Sequence, residues 1–175
     1  KNILTEITEE DASRLVSKIN DNEFRYIDQG DNGRVYEING EDKLFKITTE
    51  SEEFDVASVI VGRLGEFSAF IPIYYVNEKK LLYIMAKADK LSINDQSNIN
   101  QFMARYKQYA REQHGEHSIF DYLDNDGARD IDQELVTFLR SLQTEIDKMG
   151  IPELTLNLDF KTDNVMRWQG NLVLI

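Results

Sequence analysis

Apolar positions along the chain change their period several times, and each change marks an element. Ala12, Leu15, Val16 and Ile19 follow helical spacing behind Thr8, whose hydroxyl suits an N-cap, with Asp11 at the reciprocal position of a capping box. After Asn20-Asp21-Asn22 the pattern becomes strand-like over 24–27, 35–38 and 44–47. Gly30-Asp31-Asn32-Gly33 and Asn39-Gly40 lie between these runs, so three consecutive antiparallel strands are expected. Helical spacing returns over 51–64, with Phe54, Ala57, Ile60, Val61 and Leu64 on one side. Two further strands, 70–76 and 81–86, flank the charged turn Asn77-Glu78-Lys79-Lys80.

Beyond Ala88 the pattern is mainly helical. One stripe holds Ile99, Phe102, Met103, Tyr106 and Ala110, and a second holds Ile131, Leu135, Phe138, Leu142, Ile146 and Met149. Both are ordinary helix packing. Gly150 sits where a helix would stop, with Pro152 two residues later. Short strands at 165–167 and 172–175 close the chain around Gln169-Gly170. The expected class is α+β, without internal repeats or low-complexity tracts.

Composition narrows the function. A chain of 175 residues makes one compact domain or two small lobes. Its 20 Lys+Arg against 32 Asp+Glu give a net charge of -12, which argues against duplex binding, since phosphates require clustered cations. A nucleic-acid mimic would need its acids on one face, and here they are scattered. The absence of cysteine removes disulfides, thiol catalysis and zinc ribbons, and fits a reducing compartment. No run is long enough to span a bilayer, and the first ten residues lack a signal peptide's apolar core, so a cytoplasmic protein without a membrane partner is expected. The chain starts at Lys1 and stops inside Leu172-Val173-Leu174-Ile175, which suggests part of a longer chain.

Several residues stand out chemically. Lys46 lies between Phe45 and Ile47 in an apolar strand, where an ammonium either reaches water at an edge or meets a partner. At 100° per residue Glu53 falls on the stripe of Ala57, Ile60 and Leu64, while Glu52 and Asp55 point away, so Glu53 is the natural partner. Gly30-x-x-Gly33-x-Val35 is either a plain β-turn or a hairpin whose backbone can approach an anion closely. Tyr83-Ile84-Met85-Ala86-Lys87-Ala88-Asp89 is a strand ending in small residues. Asp159-Phe160-Lys161-Thr162-Asp163-Asn164 follows a long helix and precedes a hairpin. His114 and His117 lack a supporting cluster and read as a solvated loop, and Trp168 reads as a hairpin cap.

In this order the motifs resemble the protein-kinase-like superfamily, in the Asp-x-Lys-x-x-Asn form of serine/threonine kinases, from about Phe24 to Ile175. The resemblance implies a bilobal fold: residues 1–88 an N-lobe with an N-terminal helix, a five-stranded sheet and one helix, and 89–175 a partial C-lobe with the catalytic loop. The cleft between the lobes would be the site. It implies ATP and Mg²⁺, and a protein substrate or regulated partner. Gly30, Gly33 and Val35 would cover the nucleotide, Lys46 held by Glu53 would reach its phosphates, Met85 would line the pocket, and Ala86 and Ala88 would meet adenine through backbone. Asp159 would take the hydroxyl proton, Lys161 would balance charge on the γ-phosphate, and Asn164 would hold metal. Lys161 favours a protein acceptor, because small-molecule kinases more often carry histidine there.

Departures from the pattern are equally specific. Asp28 stands where the family has a further glycine, and Asn157-Leu158 replaces the usual His-Arg pair. The second metal ligand would fall just past Ile175. Small divergent kinases, some carried by bacteriophages, have similarly abbreviated loops. The same departures keep a pseudokinase, a binding module acting by docking to a partner, as the alternative.

Overall fold

A computed structural model describes residues 7–30, 32–63, 65–113, 117–127, 129, 131–151 and 160–175. The class is α+β, and the chain divides into two compact units, Lys1–Lys87 and Ala88–Ile175.

In the first unit, α1 (Glu9–Asn20) starts at Thr8, whose hydroxyl oxygen accepts from the Asp11 amide at 3.1 Å and donates to its carboxylate at 2.9 Å. The strands β1 (Phe24–Gly30), β2 (Gly33–Ile38), β3 (Lys43–Thr48), β4 (Ile73–Asn77) and β5 (Leu82–Ala86) form one antiparallel sheet in the order β1-β2-β3-β5-β4. β1 outruns its expected end because an irregularity at Ile27 lets Asp28, Gln29 and Gly30 resume pairing with Val35, Arg34 and Gly33. β4 begins at Ile73 rather than 70, directly after Pro72, which has no amide to give a ladder. The helix α2 (Ser51–Ile60) is shorter than the expected 51–64: Val61 leaves helical geometry and Gly62 turns left-handed at φ 71. Leu64 lies outside the described residues.

Alternation gives this sheet two faces. One carries Ile38, Phe45, Leu82 and Ile84, buried against Leu15 of α1, with Phe24 and Tyr36 beside them. Tyr36 and Phe45 stack at 4.7 Å between centroids. Burial of each such side chain stabilises by about 2 kcal/mol. α1 is also tied to the β2–β3 turn, where Glu41 accepts from Lys18 at 2.7 Å and from Arg14. The other face carries Val35, Lys46 and Tyr83 in one row, and α2 meets it with Phe54, Ala57 and Ile60 buried.

The second unit holds α3 (Ile93–Glu112), α4 (Ile119–Tyr122), a π-helical turn (Leu123–Gly127), α5 (Gln133–Met149) and the hairpin β6 (Val165–Trp168) and β7 (Asn171–Leu174). α3 starts well before Ile99 because Ser92 and Asp95 complete a capping box. Short α4, unanticipated from the sequence, starts on an equivalent box of Ser118 and Asp121. Asp132 caps α5, which leaves Ile131 outside the helix, and Gly150 ends it in the left-handed region at φ 67. Phe160 is buried between Phe102 of α3 and Phe138 of α5, at 6.1 and 6.2 Å between centroids. No helix among the described residues is long and apolar enough to cross a membrane.

Candidate functional site

The row Asp28, Val35, Lys46, Tyr83 crosses four neighbouring strands, each residue directly opposite the next. Direct partners in antiparallel strands share a face, so a register slip of one residue would have sent Lys46 to the α1 core instead. On this face Lys46 Nζ donates to Glu53 Oε2 at 2.8 Å, and the Tyr83 hydroxyl donates to Glu53 Oε1 at 2.6 Å. Lys46 and Glu53 keep side-chain exposures of 20% and 24%, so the pair is sheltered and still reachable. Burial, followed by the charge of Glu53, pushes the Tyr83 phenol well above its ordinary value, so it remains a donor at any working pH. Lys46 and Glu53, expected to pair as an ammonium in an apolar strand and an acid on a core-facing helical stripe, are brought together. Tyr83 was not anticipated: an aromatic residue in an apolar strand carries no mark of its cross-strand partner.

The glycine turn is anchored to the same place. Thr48, 2% exposed, donates its hydroxyl to the Asn32 carbonyl at 2.9 Å and accepts from the Glu50 amide at 3.0 Å. The Thr49 amide reaches the same Asn32 carbonyl at 3.0 Å. Thus the turn between β1 and β2 and the start of α2 share one buried hydroxyl. Gly33 has φ 155, and a Cβ there would stand 2.3 Å from the Ile47 carbonyl oxygen. A Cβ on Gly30 would meet nothing within 4 Å. Val35 lies on the Lys46 face. Asp28, on the same face, turns its carboxylate back to accept from the Gln29 amide at 2.8 Å.

Met85, buried, pairs with Leu44 one row along the Lys46 face. The Ala86 amide donates to the Pro72 carbonyl at 3.0 Å, and proline has no N–H to return the bond an antiparallel pair normally makes. Pro72 therefore gives no return bond to the Ala86 carbonyl. The Lys87 amide is engaged by the Asp42 carbonyl at 3.1 Å. Ala88, half-buried, opens the second unit, where the following residue, Asp89, makes paired backbone bonds with Arg167 at 2.7 and 2.9 Å.

Within the second unit Lys161 is exposed and Asn164 half-buried, in a turn closed by the Asn164 amide on the Lys161 carbonyl at 3.0 Å. The Asn164 carbonyl accepts from the Ile175 amide at 2.9 Å, which fixes this turn to the end of the β6–β7 hairpin. Asp159, Asn157 and Leu158 lie outside the described residues, as does His114. The His117 carbonyl accepts from the Tyr106 hydroxyl at 2.6 Å.

Arg167, unmarked in the sequence, holds this unit's hairpin to its helices. Its Nε and Nη2 donate to both Asp95 oxygens at 2.8 and 2.7 Å, and Nη1 and Nη2 donate to Glu134 at 2.7 and 3.0 Å. The Arg167 guanidinium, against the opposing effect of burial and with help from the hydrogen bonds of Ser92, holds the Asp95 carboxyl well below the usual carboxylate range.

No protein family matches the chain by sequence, and no curated protein does. Among solved structures, the chain is similar to APH(2")-IIa in its ternary complex with streptomycin and ATP, at 15% identity and a TM-score of 0.34, over 97% of this chain and 70% of that one. Likeness at this level decides neither fold nor function.

Proposed function

We propose that the chain is an ATP-dependent phosphotransferase of protein-kinase-like type, with a protein serine or threonine as acceptor. The observation that supports it is the Lys46–Glu53 pair, set at 2.8 Å on the face that also carries Val35 and Met85. A paired ammonium on a sheet face beside a glycine turn is an arrangement for holding nucleotide phosphates. Lys46 would bear on the α and β phosphates, with Val35 and Met85 against the base. The Ala86 carbonyl and the Ala88 backbone would meet the adenine edge, and Gly30 would allow close approach of the turn.

In the transfer, the bond from the γ-phosphorus to its bridging oxygen breaks as the acceptor oxygen bonds to phosphorus, and ADP leaves with the bridging oxygen. Asp159 would accept the hydroxyl proton and Lys161 would offset charge on the moving phosphoryl group. Asn164 is the residue of this chain that would hold Mg²⁺. Among the described residues no group of three acids or histidines could hold a metal alone. With phosphates and water as its other oxygen ligands, the ion would supply charge neutralisation there.

Phosphate transfer from labelled ATP to a mixed protein acceptor, run beside a thermal-shift titration with and without Mg²⁺, tests this. Asp159→Asn should still be stabilised by MgATP while transfer falls by about 100-fold or more. Unchanged transfer by that variant, with the fold intact, would sink the reading. Asp28 supports a second reading: an acid in the lysine's own row weakens phosphate contact, as in a nucleotide-binding docking module. Nucleotide stabilisation with no transfer by the wild type would favour it.

A further inference from the structure

We propose that Tyr83 is a positioning residue that locks Glu53 onto Lys46, so that the pair is a standing feature of the fold and needs no partner or modification to assemble it. Its consequence for nucleotide binding rests on the phosphotransferase reading; the lock itself does not.

Both carboxylate oxygens of Glu53 are taken, one by Lys46 at 2.8 Å and the other by Tyr83 at 2.6 Å. The two donors are direct cross-strand partners on β3 and β5, so their spacing is set by the sheet and not by flexible side chains. A carboxylate bridging them is fixed in rotation as well as distance. When a phosphate draws on Lys46, Tyr83 still holds Glu53, and with it α2. Tyr83 is 4% exposed, which keeps water from competing for the bond.

Movement of α2 as a body is also restricted. Only Thr49 and Glu50 separate β3 from α2, and the buried Thr48 hydroxyl holds the Glu50 amide at 3.0 Å. Where a helix carrying the acid is used as a switch, it must swing the carboxylate away from the lysine. Here such a swing would break the Lys46 and Tyr83 bonds together and leave a buried phenol without its acceptor.

Acylation of Lys46 by an amine-reactive ester, mapped by mass spectrometry on the full chain without nucleotide, tests the lock. An amine held by a carboxylate on a sheltered sheet face labels slowly. Glu53→Gln, which removes the charged acceptor, should label roughly tenfold faster, and Tyr83→Phe, which frees the carboxylate to leave the amine, roughly threefold faster. The double variant should label no faster than Glu53→Gln, because Tyr83 acts only through Glu53. Tyr83→Phe keeps the ring, so a purely packing role would leave labelling unchanged; that result, or additive effects, overturns the proposal. Should Tyr83→Phe unfold, a slowly exchanging Tyr83 hydroxyl proton in the wild-type NMR spectrum supports the lock, and its absence overturns it. A thermal-shift titration of the same wild type with MgATP runs alongside. No response there ends the phosphotransferase reading, while the labelling result still decides the lock.

Discussion

Gly33 and Gly30 stand three residues apart in one turn and answer to different constraints. At Gly33 a Cβ would lie 2.3 Å from the Ile47 carbonyl oxygen and 2.9 Å from the Thr48 Cα, both backbone atoms that cannot step aside. Gly33→Ala should therefore destabilise the first unit by about 2 kcal/mol, seen in urea unfolding followed by circular dichroism. At Gly30 the space is open, and Gly30→Ala should change stability by less than about 0.5 kcal/mol. If the turn covers phosphates, that same variant should weaken MgATP binding several-fold; equal losses of stability in the two variants would refute the distinction. The string of two glycines was legible in the sequence, but it could not say which one serves the sheet. Lys46 and Glu53 were legible for a physical reason: a charge on an apolar stripe requires a counter-charge. Tyr83 and Thr48 were not, because their hydroxyls find partners only through register and a buried turn.

At the scale of elements, periodicity located the strands and the long helices, while caps and breaks set their ends. Local chemistry that lies outside the apolar period moved several boundaries: the Ser92–Asp95 box lengthened α3, Gly62 shortened α2, and Asp132 set the start of α5. Arg167 shows what an element requires beyond its own sequence. One guanidinium on β6 reaches first-turn carboxylates of both α3 and α5, so the hairpin position depends on its planar fork. Lysine cannot reproduce that geometry. Arg167→Lys should destabilise the second unit by about 1–3 kcal/mol. Trp168, the chain's single tryptophan, adjoins it on β6, so its fluorescence during urea unfolding reports this unit directly. An unshifted midpoint would show that the fork carries no stability.

Across the whole molecule, a net charge of -12 is accommodated by giving key carboxylates cationic partners. Hydrogen bonds from Arg14 and then Lys18 bring Glu41 in the first unit from 4.5 to about 2. Asp95 in the second unit is lowered by Arg167. A carboxylate depressed in the folded state contributes stability that is complete above its unfolded value and disappears as pH falls through its folded one. The melting temperature should thus hold from pH 7 to about 5 and fall steeply between about 4.5 and 2. Glu41→Gln should flatten that fall and lower the plateau, as measured by calorimetry across the pH series; an identical profile would remove Glu41 from the account. From sequence alone came the α+β class, the α1–β1–β2–β3–α2 succession and the identity of the acid on the core-facing stripe of α2, because each depends on residues within a few positions of one another. The strand order β1-β2-β3-β5-β4, the bridging of Lys46 and Tyr83 by Glu53, and the clasp of Arg167 on two helices depended on tertiary structure, because they join residues whose proximity is set by packing and register and by no local period.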